Sequence, residues 1–123
     1  MYVDDFDGEV EIGNVERLIE VLNRRPAFDA NNFVLTNEEG GFPQLNIFAK
    51  GDIAVVYYMD DGENFVSKGA DESGDTEKFF ENKLGGEVIL STDCIVWKNE
   101  MLEASKQFFL TGKRPDCLSW TEL

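Results

Sequence analysis

Gln44-Leu45-Asn46-Ile47-Phe48-Ala49-Lys50-Gly51-Asp52-Ile53-Ala54-Val55-Val56-Tyr57-Tyr58-Met59-Asp60-Asp61-Gly62 decides the fold class. Leu45, Ile47 and Ala49 alternate with Gln44, Asn46 and Lys50, the period-two pattern of a strand with one buried face. Gly51-Asp52 is a two-residue hairpin signal, with glycine where a type II′ turn needs a positive φ. Ile53 to Met59 is a nearly continuous apolar run, as expected of the most central strand of a sheet. Asp61-Gly62 marks the next turn, and Glu63 to Lys68 reads as a short returning strand.

The flanks extend this pattern. Residues 32–37 read Asn-Phe-Val-Leu-Thr-Asn, a strand by composition, and Gly40, Gly41 and Pro43 break it before the hairpin. Residues 69–76 are a loop, Gly-Ala-Asp-Glu-Ser-Gly-Asp-Thr. Glu77 to Glu81 and Glu87 to Ser91 read as two further strands around Gly85-Gly86. Helical periodicity appears only towards the two ends. Val15, Leu18, Ile19 and Leu22 form one apolar helix face, capped by Asn14, with Arg24 and Arg25 expected in its last turn and Pro26 closing it. Met101, Ser105 and Phe108 line up with Leu102 and Phe109 in a second helix that Gly112 terminates. The tail from Leu118 is expected to dock on the body through Trp120. The sum is an α+β domain: an antiparallel meander of about five or six strands, with an N-terminal and a C-terminal helix packed on one face. Residues 1–123 read as one domain.

Charge bounds the function. The 123 residues carry 25 acidic and 11 basic side chains and no histidine, a formal net charge of −14. Lack of histidine removes the commonest acid–base group near neutral pH and the commonest metal ligand. Cys94 and Cys117 have neither Cys-x-x-Cys spacing nor a histidine partner, which speaks against zinc and for two reduced thiols. A serine or cysteine nucleophile would lack its base. The acidic runs lack the spacing of a calcium-binding loop, and Gly40-Gly41 and Gly85-Gly86 are turns rather than phosphate cradles. No cofactor or metal is expected. No segment is apolar for long enough to span a membrane. Acids in Met1–Asp5, where a secretory leader has bases, argue against export.

The acids are clustered. Residues 1–63 hold 14 acids and 4 bases, and residues 64–123 hold 11 and 7. Asp4, Asp5, Asp7, Glu9 and Glu11 form a first group with no base among them. Asp60, Asp61 and Glu63 sit at a predicted hairpin tip, with Asn64 beside them. Asp71, Glu72, Asp75 and Glu77 belong to the longest loop and its edge. Loops are polar because they meet water, so any one cluster says little. Three together, with few lysines to balance them, point to a partner with a basic surface, because the summed field speeds association and orients it. Such a chain repels nucleic acid itself. The contact residues expected on these grounds are Asp60, Asp61, Glu63, Asn64, Asp71, Glu72 and Asp75. Tyr58 joins them as an aromatic anchor, because one of Tyr57 and Tyr58, and one of Phe79 and Phe80, must face away from the helices. Trp97 and Trp120 are expected to close the core.

Several stretches carry a family likeness. Asp5-Phe6-Asp7-Gly8-Glu9-Val10 precedes a short amphipathic helix. Gly86-Glu87-Val88 leads to a helix with Glu103-Ala104-Ser105-Lys106-Gln107-Phe108-Phe109, then Thr111-Gly112-Lys113-Arg114-Pro115 and Trp120. This layout resembles the first immunity-protein family of bacterial polymorphic toxin systems, whose members are antidotes to deaminase-fold toxins. The central segment, Phe28 to Leu35 through Asp52 to Met59, resembles members that answer a cytidine deaminase toxin of double-stranded DNA. The likeness implies a cytoplasmic bacterial antidote without catalytic residues. It would bind its cognate toxin as a monomer, one to one, and block the substrate entrance. Two other readings of the residues stay open: an acidic nucleic-acid mimic that inhibits basic DNA-binding proteins, and a small metal-dependent enzyme.

Overall fold

A computed structural model describes residues 1–37 and 41–123. In chain order its elements are β1 (Tyr2–Asp5), β2 (Gly8–Glu11), α1 (Val15–Leu22), β3 (Ala30–Thr36), β4 (Gln44–Lys50), β5 (Ile53–Asp60) and β6 (Glu63–Lys68). Then follow β7 (Thr76–Phe80), β8 (Glu87–Ser91), β9 (Ile95–Trp97), α2 (Lys98–Thr111) and β10 (Ser119–Glu122). The large antiparallel sheet runs β10-β6-β5-β4-β3-β1-β2, with β9 also paired to β5, while β7 and β8 form a separate two-stranded sheet. The α+β class is as read from the sequence. The ten strands among the described residues exceed the expected five or six. The break expected at Gly40 lies outside the described residues.

The quoted stretch forms β4, β5 and the turn between them. Gly51 has φ 53°, and Asp52 is not in the positive-φ region, as a type II′ turn requires. The register Leu45↔Tyr58, Ile47↔Val56 and Ala49↔Ala54 puts one apolar row on the helix side, and Phe33 and Leu35 of β3 extend it. Leu18, Val21 and Leu22 of α1 and Met101, Ala104 and Phe108 of α2 close over that row as one buried core. Asn14 caps α1 by accepting the Arg17 N–H at 2.8 Å. Arg24 and Arg25 lie just past the helix rather than in its last turn. Arg25 still serves its end: the guanidinium donates to the carbonyls of Leu22 and Arg24 and to that of Gly51, tying α1 to the β4–β5 turn. Gly112 ends α2 in the left-handed region, φ 68°, with its N–H on the Phe108 carbonyl.

The other face of the sheet is covered in part. The β7–β8 hairpin lies over it and inserts Phe79 against Val55 and Val66, with Phe48, Tyr57 and Leu90 around them. The domain therefore has three layers: helices, large sheet, hairpin. β5 shares one edge between two partners, β6 along Tyr57–Asp60 and β9 along Ile53–Val55. Ser67 bridges the gap, accepting the Val56 N–H at 3.0 Å and donating to the Cys94 carbonyl at 2.6 Å. Next to it, a Cβ on Gly69 would lie 1.9 Å from the Ile95 carbonyl oxygen, so only glycine fits.

Candidate functional site

The β5–β6 turn carries the first expected contact group. Asp60 stands opposite Glu63 in the strand register. The Asp61 N–H donates to Asp60 Oδ1 at 2.8 Å. Asn64 is held in the sheet, its carbonyl accepting the Leu123 N–H at 2.8 Å. Asp61 and Glu63 are exposed, and Asp60 and Asn64 are half-buried. A base stands close by: the Arg114 guanidinium lies 4.1 Å above the Phe65 ring.

Tyr58 is not an exposed anchor. Its place opposite Leu45 turns the ring to the helix side, where it is 6% exposed and packs with Phe65, Phe108 and Trp120. Burial raises the pKa of its hydroxyl, and the negative charges of Asp60 and Glu63 raise it further against an opposing effect of Arg114. Tyr57 is the tyrosine that faces away from the helices, but it is half-buried beneath the hairpin, edge-on to Phe48. Trp120 closes the core as expected, donating its indole N–H to the Pro115 carbonyl at 2.7 Å.

Asp71, Glu72 and Asp75 are all exposed, in the loop after β6. The loop is pinned rather than free. Asp71 accepts the Ser73 N–H and the Ser73 hydroxyl, each at 3.0 Å. The Asp75 carbonyl accepts the Thr92 N–H at 3.0 Å and the Thr92 hydroxyl at 3.2 Å. Hydrogen bonds from Thr92, then from Ser73, hold the Asp71 carboxyl below the usual carboxylate range. The fold does not bring the two expected groups together. They sit at opposite ends of β6, a separation of roughly 17–20 Å for a six-residue strand. A partner touching both must run along the strand, which an interface of about 800 Å² per side allows.

The N-terminal acids lie on β1, β2 and their turn. Asp4 stands opposite Glu9. The group is not free of bases, because Lys83 reaches over from the β7–β8 turn to ion-pair with Asp7. Lys50 pairs with Glu77, Lys78 with Glu87, Lys98 with Asp52, and Arg17 and Arg24 with Glu20. Among the described residues, Asp60, Asp61, Glu63, Asp71, Glu72 and Asp75 take part in no ion pair. No three carboxylates or thiols of the described residues converge as ligands for a metal ion.

Trp97 departs most from expectation. It is 63% exposed, not core-closing. It stands at a groove of about 390 Å³ floored by Ile53 and Ile95 and lined also by Ala70, Asp71 and Thr92. The groove lies beside β9 on the sheet's second face, where Trp97 is left exposed. Trp97 also precedes the first residue of α2, where Ser, Thr, Asp or Asn would cap best. That mismatch between residue type and position was the available sequence signal for a side chain with another use.

The domain is an acidic α+β fold without histidine. The family of the immunity protein Imm1 matches residues 8–122, and the chain belongs to that family. Within reach of it in sequence is the double-stranded DNA deaminase immunity protein of Burkholderia cenocepacia (strain H111), 73% identical over 123 residues that cover 100% of both chains.

Proposed function

We propose that this protein is the antidote to a deaminase that acts on double-stranded DNA, and that it silences the enzyme by covering it. The observation that carries this reading is the 73% identity, unbroken by length on either side, to an immunity protein named for that enzyme. Identity of that degree over a whole domain preserves the core and most of the surface.

The physical chemistry supports the same mechanism. An enzyme that grips duplex DNA needs a cationic surface for the phosphates. It must also take a base out of the stack into a pocket. A protein with a net charge of −14 is drawn to that surface and can lie over the pocket. Asp60, Asp61, Glu63, Asp71, Glu72 and Asp75 are among the carboxylates that no ion pair engages in the described residues, and so are free to meet cations. The antidote contributes no chemistry in this mechanism and acts as one monomer on one enzyme, in the cytoplasm of the producing bacterium. No helix among the described residues is long and apolar enough to cross a membrane. Protection of a genome calls for at least nanomolar affinity, about −12 kcal/mol.

Co-expression tests the reading. Cells producing the deaminase should survive when they also make this protein, and the two should co-purify as a one-to-one complex. Growth arrest in spite of ample antidote would refute it. Equal inhibition of unrelated basic DNA-binding proteins would identify a general nucleic-acid mimic instead.

A further inference from the structure

Trp97 has no structural task that accounts for an indole. The α2 N-terminus is served by Glu100, whose Oε1 accepts the Trp97 backbone N–H at 3.2 Å. The indole itself has no acceptor with which to cap a helix. The pairing of Trp97 with Ile53 and of Ile95 with Val55 sets these side chains on the sheet face away from the helices. There the groove gives Trp97 one apolar floor, Ile53 and Ile95, and one polar bank, Asp71 and Thr92. Its volume lies at the low end of the roughly 300–1,000 Å³ of ligand pockets, but it is open along its length.

The charge around the groove is defined. Asp71 is fixed in place by the Ser73 amide and hydroxyl and is in no ion pair among the described residues. Hydrogen bonds from Ser91 and Cys94 hold the neighbouring Asp93 carboxyl below the usual carboxylate range, with smaller, mutually opposing effects of Asp71 and Lys68. On the other side of Trp97, Lys98 is matched by Asp52 at 3.5 Å. The bank therefore carries the Asp71 carboxylate, which no ion pair engages among the described residues, beside an exposed aromatic face.

We propose that this groove is the anchoring site for the deaminase, and that it takes an arginine side chain of that enzyme. The proposal rests on the function proposed above and gives it a place on the molecule. The arginine stem would lie along Ile53 and Ile95, its guanidinium stacked on the Trp97 indole and paired with the Asp71 carboxylate. Arginine suits this site better than lysine: its planar head stacks on aromatic faces, forms two parallel bonds to a carboxylate, and is more weakly hydrated. Tryptophan against arginine, in a desolvated centre, is the usual composition of a binding hot spot. The pre-set carboxylate lowers the ordering cost on this side of the interface.

The test measures binding of the purified deaminase to the unaltered chain and to three variants, with thermal unfolding as the check on folding. Trp97→Ala should weaken binding by roughly thirty-fold or more, the size of a hot-spot loss. Trp97→Phe, which keeps an aromatic face, should recover most of that. Asp71→Asn should weaken binding several-fold and flatten its salt dependence. In a fluorotryptophan-labelled chain, the fluorine resonance of Trp97 should shift on complex formation while that of Trp120 stays. Tight binding by both the unaltered chain and Trp97→Ala, with the Trp97 resonance unmoved, would overturn the groove and leave the proposed function standing. Failure of the unaltered chain to bind would overturn both.

Discussion

Two serines are fully buried, Ser67 and Ser105, each 0% exposed. The same substitution by alanine should have opposite consequences. Ser67 Oγ serves two backbone atoms at the β6–β9 joint: it accepts the Val56 N–H at 3.0 Å and donates to the Cys94 carbonyl at 2.6 Å. Ser67→Ala leaves both without a partner inside the fold. A buried unsatisfied group costs about 1–3 kcal/mol. Partial entry of water reduces the sum of two, so a loss of about 2–4 kcal/mol is expected. Ser105 Oγ donates to the Met101 carbonyl at 2.8 Å, which already accepts a helical N–H within α2. Ser105→Ala strands nothing and should cost under about 1 kcal/mol. With an unfolding entropy of about 2.1 cal/mol/K per residue, the Ser67 change corresponds to about 8–15 °C in Tm and the Ser105 change to under about 4 °C. Urea titration of both variants, with m-values checked for constancy, reads the difference directly. Equal losses would refute the reasoning, as would a Ser67→Ala loss below about 0.5 kcal/mol.

Other perturbations follow from the same geometry. Gly69→Ala drives a methyl to 1.9 Å from the Ile95 oxygen and should cost at least about 2–3 kcal/mol, read by thermal unfolding. Reversal of Asp60 and Asp61 to lysine should slow association with the deaminase at low salt, about ten-fold, with little change in the dissociation rate; unchanged rates in stopped flow would remove the hairpin tip from the interface. Burial, then the hydrogen bond to Asp93, pushes the Cys94 thiol up to about 11 from 9.0. Its alkylation at pH 8 should therefore run about 100-fold slower than that of a free thiol. The folded state holds that proton more tightly than the unfolded chain does. The stability this contributes is complete below about pH 9 and is lost as the pH rises towards about 11.

The fold was legible wherever one face of an element is buried and the other is wet. Leu45-Ile47-Ala49 and the Gly51-Asp52 turn gave β4 and β5, and Asn14 and Gly112 marked helix ends to the residue. The missed strands lack such a pattern. β1 and β2 carry Asp4, Asp5, Glu9 and Glu11, and Val3 alone is deeply buried there, so four-residue strands read as an acidic tail. β9 has three residues, too few for a period. The placement of surface residues was less legible. Alternation said that one of Tyr57 and Tyr58 points outward, but the register against Leu45 decided which, and register depends on the whole sheet. The expectation for Trp97 failed for a similar reason. A large aromatic next to a helix is usually core, and only the position of the hairpin over the sheet shows where the cover stops. The two acidic groups were found as groups, while their separation by the length of β6 needed the structure.

The central claim is that this protein acts on one deaminase by covering it. The most direct measurement is the rate at which the purified deaminase converts a labelled DNA duplex, titrated with this protein at enzyme concentrations above the dissociation constant. The account predicts a linear fall to zero at one equivalent, with no effect on unrelated DNA-modifying enzymes. Undiminished turnover at a several-fold excess of the protein would contradict it.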